Sequence, residues 1–300
     1  MPPSGPVGIV GVGNMGGGMA RRLLACGWAV RACDIDPSRV REIVALGGMP
    51  AASPAVAADG ASALVVCVVD ADQVRDVLFG VAGAAAALRP GTGVLVCPTI
   101  SPEDAESIAG RLRIEGLCPI DAPMSGGPAR AAEGTMSLMV ACDATTRESN
   151  DALLGTLSSQ VFHISERPGD GARTKLVNNL LAGINLVGAA EVLALAQRMG
   201  LDTSRTLDVI EKSSGQSWIG SDRMRRALAG DYAPRAHVTL LQKDTRLALE
   251  AAGACGFEGP LGAAARDVFA RAAAAGLANE DDAALFRLLA GDGREHAQNR

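Results

Sequence analysis

From residue 7 to about residue 164, short apolar runs alternate with stretches of helical periodicity. The runs cover 7–12, 29–34, 63–69, 93–99, 118–122, 136–142 and 161–164, and helical stretches lie between them near 14–26, 37–46, 71–79, 102–115 and 144–158. The runs are apolar at consecutive positions, so both faces of each strand are expected to be covered, as in a parallel sheet with helices on either side. Such a βαβ series predicts an α/β fold, a doubly wound sheet of the Rossmann type.

After Arg167-Pro168-Gly169-Asp170-Gly171 the strand pattern stops. A long helix is predicted over 172–199, where Leu176, Val177, Leu180, Leu181, Ile184, Leu186 and Val187 make most sides apolar and predict burial on several faces. Helical segments follow near 203–212, 216–229, 239–254, 260–275 and 281–290, with Gly200, Gly215, Gly230, Gly256 and Gly276 near their ends. The chain is therefore expected to divide into a dinucleotide-binding domain over 1–167 and an all-α domain over 168–300, with a frayed polar tail from Gly291.

Composition narrows the function. Hydrophobic residues make up 48% of the chain, enough for a sizeable core, while aromatics make up only 3%, too few for stacking on a large ring. The net charge is −5 and no dense basic run occurs, so nucleic acid is not an expected partner. His163, His237 and His296 are scattered, which gives no metal-ligand spacing. Seven cysteines occur without a CxxC, and Cys33, Cys67, Cys97, Cys118 and Cys142 fall in or beside strand runs, as small buried hydrophobes do in a reducing compartment. The opening Met1-Pro-Pro-Ser-Gly-Pro does not read as a signal peptide, and no apolar run reaches the ~20 residues of a membrane span. A cytoplasmic protein without a membrane partner is expected.

Gly11-Val12-Gly13-Asn14-Met15-Gly16 ends the first predicted strand and opens the first helix. Gly11 permits the tight turn, Gly13 lets backbone approach a pyrophosphate, and Gly16 lets helix and strand pack closely; Asn14 and Met15 then flank the phosphates. Asp34 ends the second strand, where it can accept hydrogen bonds from the adenosine ribose hydroxyls and repel a 2′-phosphate. Arg39, the one nearby arginine, reads as a solvated helix-surface residue. NAD is therefore the expected cofactor. Val69, Asp70 and Thr99 follow later strands at the carboxyl edge, where ligands bind in such sheets. Thr99 can reach the nicotinamide ribose, Ser101 is the more natural helix cap, and Asp70 reads equally as a cap.

A chemical site is suggested by Asp121-Ala122-Pro123-Met124-Ser125-Gly126-Gly127, in which Ser125, Gly126 and Gly127 can offer a hydroxyl and two backbone N–H groups to a carboxylate. On the long helix, Lys175 and Asn179 are four residues apart and share a face. Polar groups in so apolar a helix need partners or a task.

Taken together, GxGxMG, DAPxSGG followed by GT, GxGxxxKxxNN and a later KD resemble the signature of the β-hydroxyacid dehydrogenases, in order and over nearly the whole chain. The resemblance implies a hydride-transferring enzyme in which Ser125, Gly126 and Gly127 bind the substrate carboxylate. Lys175 would be the acid/base, Asn179 would position the substrate, and Lys243 would stand near the nicotinamide. Within the family, 213–218, 230–232 and 238–244 are similar to a subgroup that oxidises L-threonate, and relatives act on 3-hydroxyisobutyrate or tartronate semialdehyde. The family also implies a homodimer or homotetramer. An imine reductase and a non-catalytic binding module are the competing readings; the lysine at 175 speaks against both.

Overall fold

In the computed structural model the described residues are 5–291; the polar tail beyond Gly291, with His296, lies outside them. Six parallel strands come first: β1 (Val7–Val10), β2 (Val30–Cys33), β3 (Met49–Pro50), β4 (Ala63–Val66), β5 (Gly93–Val96) and β6 (Cys118–Asp121). They pair in the order β3-β2-β1-β4-β5-β6, that of a doubly wound dinucleotide fold. Helices α1 (Asn14–Ala25), α2 (Pro37–Ala45), α3 (Pro54–Ala58), α4 (Ala71–Phe79) and α5 (Pro102–Ile114) connect them.

Side chains alternate across each strand, and both faces are covered. Val7 and Ile9 of β1, Ala63 and Val65 of β4, and Leu95 of β5 pack against Met19 and Leu23 of α1. The intervening Val10, Leu64, Val66, Val94 and Val96 pack with Ala57, Val74, Ile108 and Leu112, from α3, α4 and α5. This double burial explains the consecutive apolar pattern.

The sheet continues with β7 (Met124–Ser125), α6 (Gly127–Glu133), β8 (Ser137–Ala141), α7 (Ala144–Leu157) and β9 (Gln160–Ser165). Here the all-parallel expectation is corrected. β8 runs antiparallel to β6 and β7, and β9 pairs parallel with β8. Asp121 stands opposite Ala141, Met124 opposite Leu138 and Ser125 opposite Ser137, so β6 and β7 form one line against β8, interrupted at Ala122 and Pro123. The link from β7 to β8 holds only α6 and its flanking turns, too little for the usual parallel crossover. Strands as short as β3 and β7, and helices as short as α3 and α6, give too few periods to register in the sequence pattern.

The remaining chain is helical: α8 (Asp170–Arg198), α9 (Thr203–Glu211), α10 (Trp218–Leu228), α11 (Val238–Ala254), α12 (Pro260–Ala272) and α13 (Leu285–Ala290). Two compact units result, 1–175 and 176–300, and the division falls within α8, directly after Lys175. The sequence pattern changes slightly earlier, at 168–171.

The expected burial of α8 on several faces is met on one side only. Leu186, Val187, Ala190, Leu193 and Ala194 enter the core of the second unit. Val177, Leu181, Val192, Leu195 and Met199 are exposed and repeat at helical spacing along one face. Its apolar character also makes α8 the one helix among the described residues long and apolar enough to cross a membrane by length and composition, although no uninterrupted apolar run of that length occurs. Nearly half of its most apolar stretch is buried in the protein, as in the core helix of a folded domain.

At the β1–α1 junction the backbone leaves no room for a side chain. A Cβ at Gly16 would lie 1.9 Å from the Gly11 carbonyl oxygen, whereas one at Gly155, in α7, would meet nothing within 4 Å. Gly16→Ala is expected to lower unfolding free energy by about 1–3 kcal/mol, and Gly155→Ala to raise it by about 0.4–1 kcal/mol. Denaturant titration of the two variants checks both signs.

Candidate active site

Helix starts that follow strands of the sheet fall into two groups. Asp36, Ser53, Asp70, Ser101 and Asp143 each accept a backbone N–H at the start of α2, α3, α4, α5 and α7. Helices α1 and α6 begin at Gly13 and Gly126, and no side chain caps either. Their leading N–H groups therefore suit an anion.

At α1, Gly11 has a φ of +87°, and a Cβ there would lie 2.4 Å from the Cys67 carbonyl oxygen. Only glycine fits such a turn. Asp34 binds this turn directly: its Oδ2 accepts the Val12 N–H at 2.7 Å and its Oδ1 that of Asp36 at 2.9 Å. Asn14 is exposed and Met15 half-buried. Gly13 is open, and the closest atom to a Cβ placed there would be Arg39 Nη1 at 4.0 Å. Arg39 keeps a solvated place on α2, its side chain 43% exposed, and also comes near the glycine turn. Its guanidinium stands at the mouth of the glycine turn, with only a loose 3.8 Å pairing to Asp36. The uncapped N–H groups, the open side of Gly13 and the adjacent Asp34 fit a dinucleotide with free ribose hydroxyls.

The helix starts after β4 and β5 are capped from within their own loops. Asp70 caps α4 by accepting the Gln73 N–H at 2.9 Å, and half-exposed Val69 donates its N–H to Gln73 Oε1 at 2.9 Å. Ser101 caps α5 by accepting the Asp104 N–H at 3.0 Å, so Thr99, partly exposed beyond β5, is not needed for that task.

Ser125, Gly126 and Gly127 lie at the β7–α6 turn, all partly exposed. Gly126 has a φ of +130° and Gly127 of +79°, a succession closed to other residues at little strain. Arg130 donates to the Thr135 carbonyl from Nε at 3.0 Å and from Nη2 at 2.6 Å, tying the far end of α6 to the loop that enters β8.

Lys175 and Asn179 occupy one face of α8 and are both buried, at 7% and 8% exposure. Lys175 belongs to the first unit, together with the glycine turn and the 125–127 turn. In the second unit, Asn179 Nδ2 donates to Asp244 Oδ2 at 2.6 Å and Asn178 Nδ2 donates to Asn179 Oδ1 at 3.0 Å. Asp244 Oδ1, otherwise without a hydrogen bond, faces Lys243 Nζ at 2.8 Å. Lys243 also lines a pocket of about 400 Å³ with Gln242, Arg246 and Arg266.

Two carboxylates escaped the sequence reading. Asp244 organises Asn179 and Lys243; its signal was the KD pair itself. Asp121, 5% exposed, accepts the N–H groups of Gly169 at 2.7 Å and Ala172 at 3.1 Å. Burial pushes its carboxyl up to about 6, although those N–H groups pull the other way. All seven cysteines are free thiols, and burial pushes that of Cys67 up to about 12, far from a reactive thiolate.

Comparison with known proteins agrees with this geometry. The family profile described as the NAD binding domain of 6-phosphogluconate dehydrogenase matches residues 6–165. That described as NAD-binding of NADP-dependent 3-hydroxyisobutyrate dehydrogenase matches 169–289. L-threonate dehydrogenase of Cupriavidus necator is 39% identical, over 95% of this chain and 96% of its own. NAD-dependent L-serine dehydrogenase of Pseudomonas aeruginosa is 32% identical, over 94% and 97%. The crystal structure of a 3-hydroxyisobutyrate dehydrogenase from Salmonella typhimurium superposes with a TM-score of 0.90 at 38% identity, covering 95% of this chain and all of that one. Glycine turn, strand order and matched relatives converge, and the chain belongs to the 3-hydroxyisobutyrate dehydrogenase-like family of NAD-dependent hydroxyacid dehydrogenases.

Proposed function

We propose that this enzyme oxidises L-threonate at C2 to 2-oxotetronate with NAD. One observation carries the reading: a buried lysine, Lys175, belongs to the same compact unit as a glycine turn suited to pyrophosphate and an uncapped turn suited to a carboxylate. Five relatives named L-threonate dehydrogenase, 34–39% identical, support the substrate.

In this reading the N–H groups of Gly126 and Gly127 and the hydroxyl of Ser125 hold the substrate carboxylate. Asn179, oriented by Asp244, positions the hydroxyl-bearing carbon, and Lys243 stands near the nicotinamide. Gly11, Gly13, Asn14, Met15 and Gly16 hold the pyrophosphate, Asp34 the adenosine ribose, and Val69 and Thr99 line the nicotinamide side. Bound NAD supplies the hydride acceptor, C4 of its ring. Lys175 Nζ takes the proton from the substrate hydroxyl as the C–H bond breaks. A free lysine titrates near ~10.4, so a base must be made easier to deprotonate, and burial acts in that direction while a bound carboxylate opposes it.

A second copy of the chain is the expected cover for the exposed apolar face of α8, giving a homodimer or homotetramer. A cytoplasmic enzyme is supported by seven unpaired thiols.

Steady-state kcat/KM across L-threonate, 3-hydroxyisobutyrate and L-serine, and in the reducing direction tartronate semialdehyde, tests the substrate. L-threonate is expected to lead by about tenfold or more, a difference of roughly 1.4 kcal/mol in transition-state binding. A higher value for 3-hydroxyisobutyrate or L-serine would reassign it. Lys175→Ala is expected to lose roughly 10²–10⁴-fold in kcat while NAD binding is unchanged. The wild-type rate of oxidation should rise from neutral to alkaline pH, and a flat profile would count against the amine as base.

A further inference from the structure

Lys175 stands one turn beyond the start of α8, and that start has an unusual anchor. Asp121 ends β6, at the point where the sheet changes from parallel to antiparallel. Its Oδ2 accepts the N–H groups of Gly169 and Ala172, the residues that open α8. The fit is close. A Cβ at Gly171 would lie 2.9 Å from the Asp121 carboxyl carbon and 2.8 Å from the Met139 carbonyl oxygen, so the first turn of α8 lies directly on the carboxylate and on β8.

We infer that Asp121 is a positioning residue for Lys175, its buried carboxylate fixing the first turn of α8 and with it the place of the amine relative to the 125–127 turn. The inference rests on the reading of Lys175 as the acid/base. Asp121 is suited to the task because it is tied to both parts. It begins the line of chain that continues through Met124 to Ser125, and it holds the turn from which Lys175 projects. Ala172 precedes Lys175 by one helical turn, so a shift of the Ala172 backbone is passed to the amine.

A cap for stability alone would not need a charge. Serine, threonine or asparagine caps helices as well as aspartate does, and a carboxylate at this depth carries a desolvation cost that they avoid. The charge allows a single oxygen to accept from two donors at the positive end of α8. Asp170 and the thiols of Cys97 and Cys142 are titratable groups that interact with it, and Asp170 is itself held by Arg173 at 2.9 Å.

The test is a double-mutant cycle on the full-length enzyme with L-threonate and NAD, read as kcat, KM and NAD affinity. Asp121→Asn is expected to lower kcat roughly 10- to 100-fold, with NAD affinity within about twofold of wild type. In a Lys175→Ala background the same change should cost less than about twofold, since no amine remains to be positioned. A full penalty in that background, or an Asp121→Asn enzyme with wild-type kcat, overturns the positioning role and leaves Lys175 as base untouched. Near-wild-type turnover in Lys175→Ala alone overturns the acid/base reading and the inference with it. Should Asp121→Asn fail to fold, Gly171→Ala, whose methyl group would press the carboxylate away from α8, takes its place in the cycle with the same expectations.

Discussion

Backbone N–H groups at the start of a helix must meet an acceptor, and where helices follow the strands of this sheet that constraint organises both structure and site. Most helix starts meet it with a neighbouring serine or aspartate. Two starts have no side-chain cap, and both follow a glycine, Gly13 and Gly126. One suits a pyrophosphate and the other a carboxylate, the two anions that a dinucleotide-dependent hydroxyacid dehydrogenase must hold. Carboxylates tie the surroundings together: Asp34 fastens the glycine turn to β2, and Asp121 fastens α8 to β6.

The division of the chain follows the same logic. Glycine turn, carboxylate turn and Lys175 all belong to the first unit, so the anchors and the amine are set by one sheet and its helices. In the second unit a buried carboxylate, Asp244, serves both Asn179 and Lys243.

Much of this was legible in the sequence because its causes are local. Apolar runs covered on both faces gave away the strands, the glycine spacing marked the first turn, and the four-residue step from Lys175 to Asn179 marked a shared helix face. The missed features depend on partners distant in the chain. The antiparallel return of β8 depends on a break at Pro123 and on the shortness of α6. The exposed stripe on α8 could not be told from its buried side by composition, because both are aliphatic. Asp121 shows the limit best: adjacent to a recognised motif, it acquires its task only when Gly169 and Ala172, about fifty residues later, arrive beside it. Arg39 likewise reads as a surface charge until folding brings it to Gly13.

The central claim is that the enzyme moves a hydride from C2 of an anchored hydroxy acid to NAD. Oxidation of L-threonate deuterated at C2, followed by absorbance of the reduced cofactor and by mass spectrometry, tests it most directly. A slowed kcat/KM with the deuterated acid, deuterium in the reduced nicotinamide and 2-oxotetronate as product are expected. Reduced cofactor free of deuterium, or no reduction of NAD by this acid or its three- and four-carbon relatives, would contradict it.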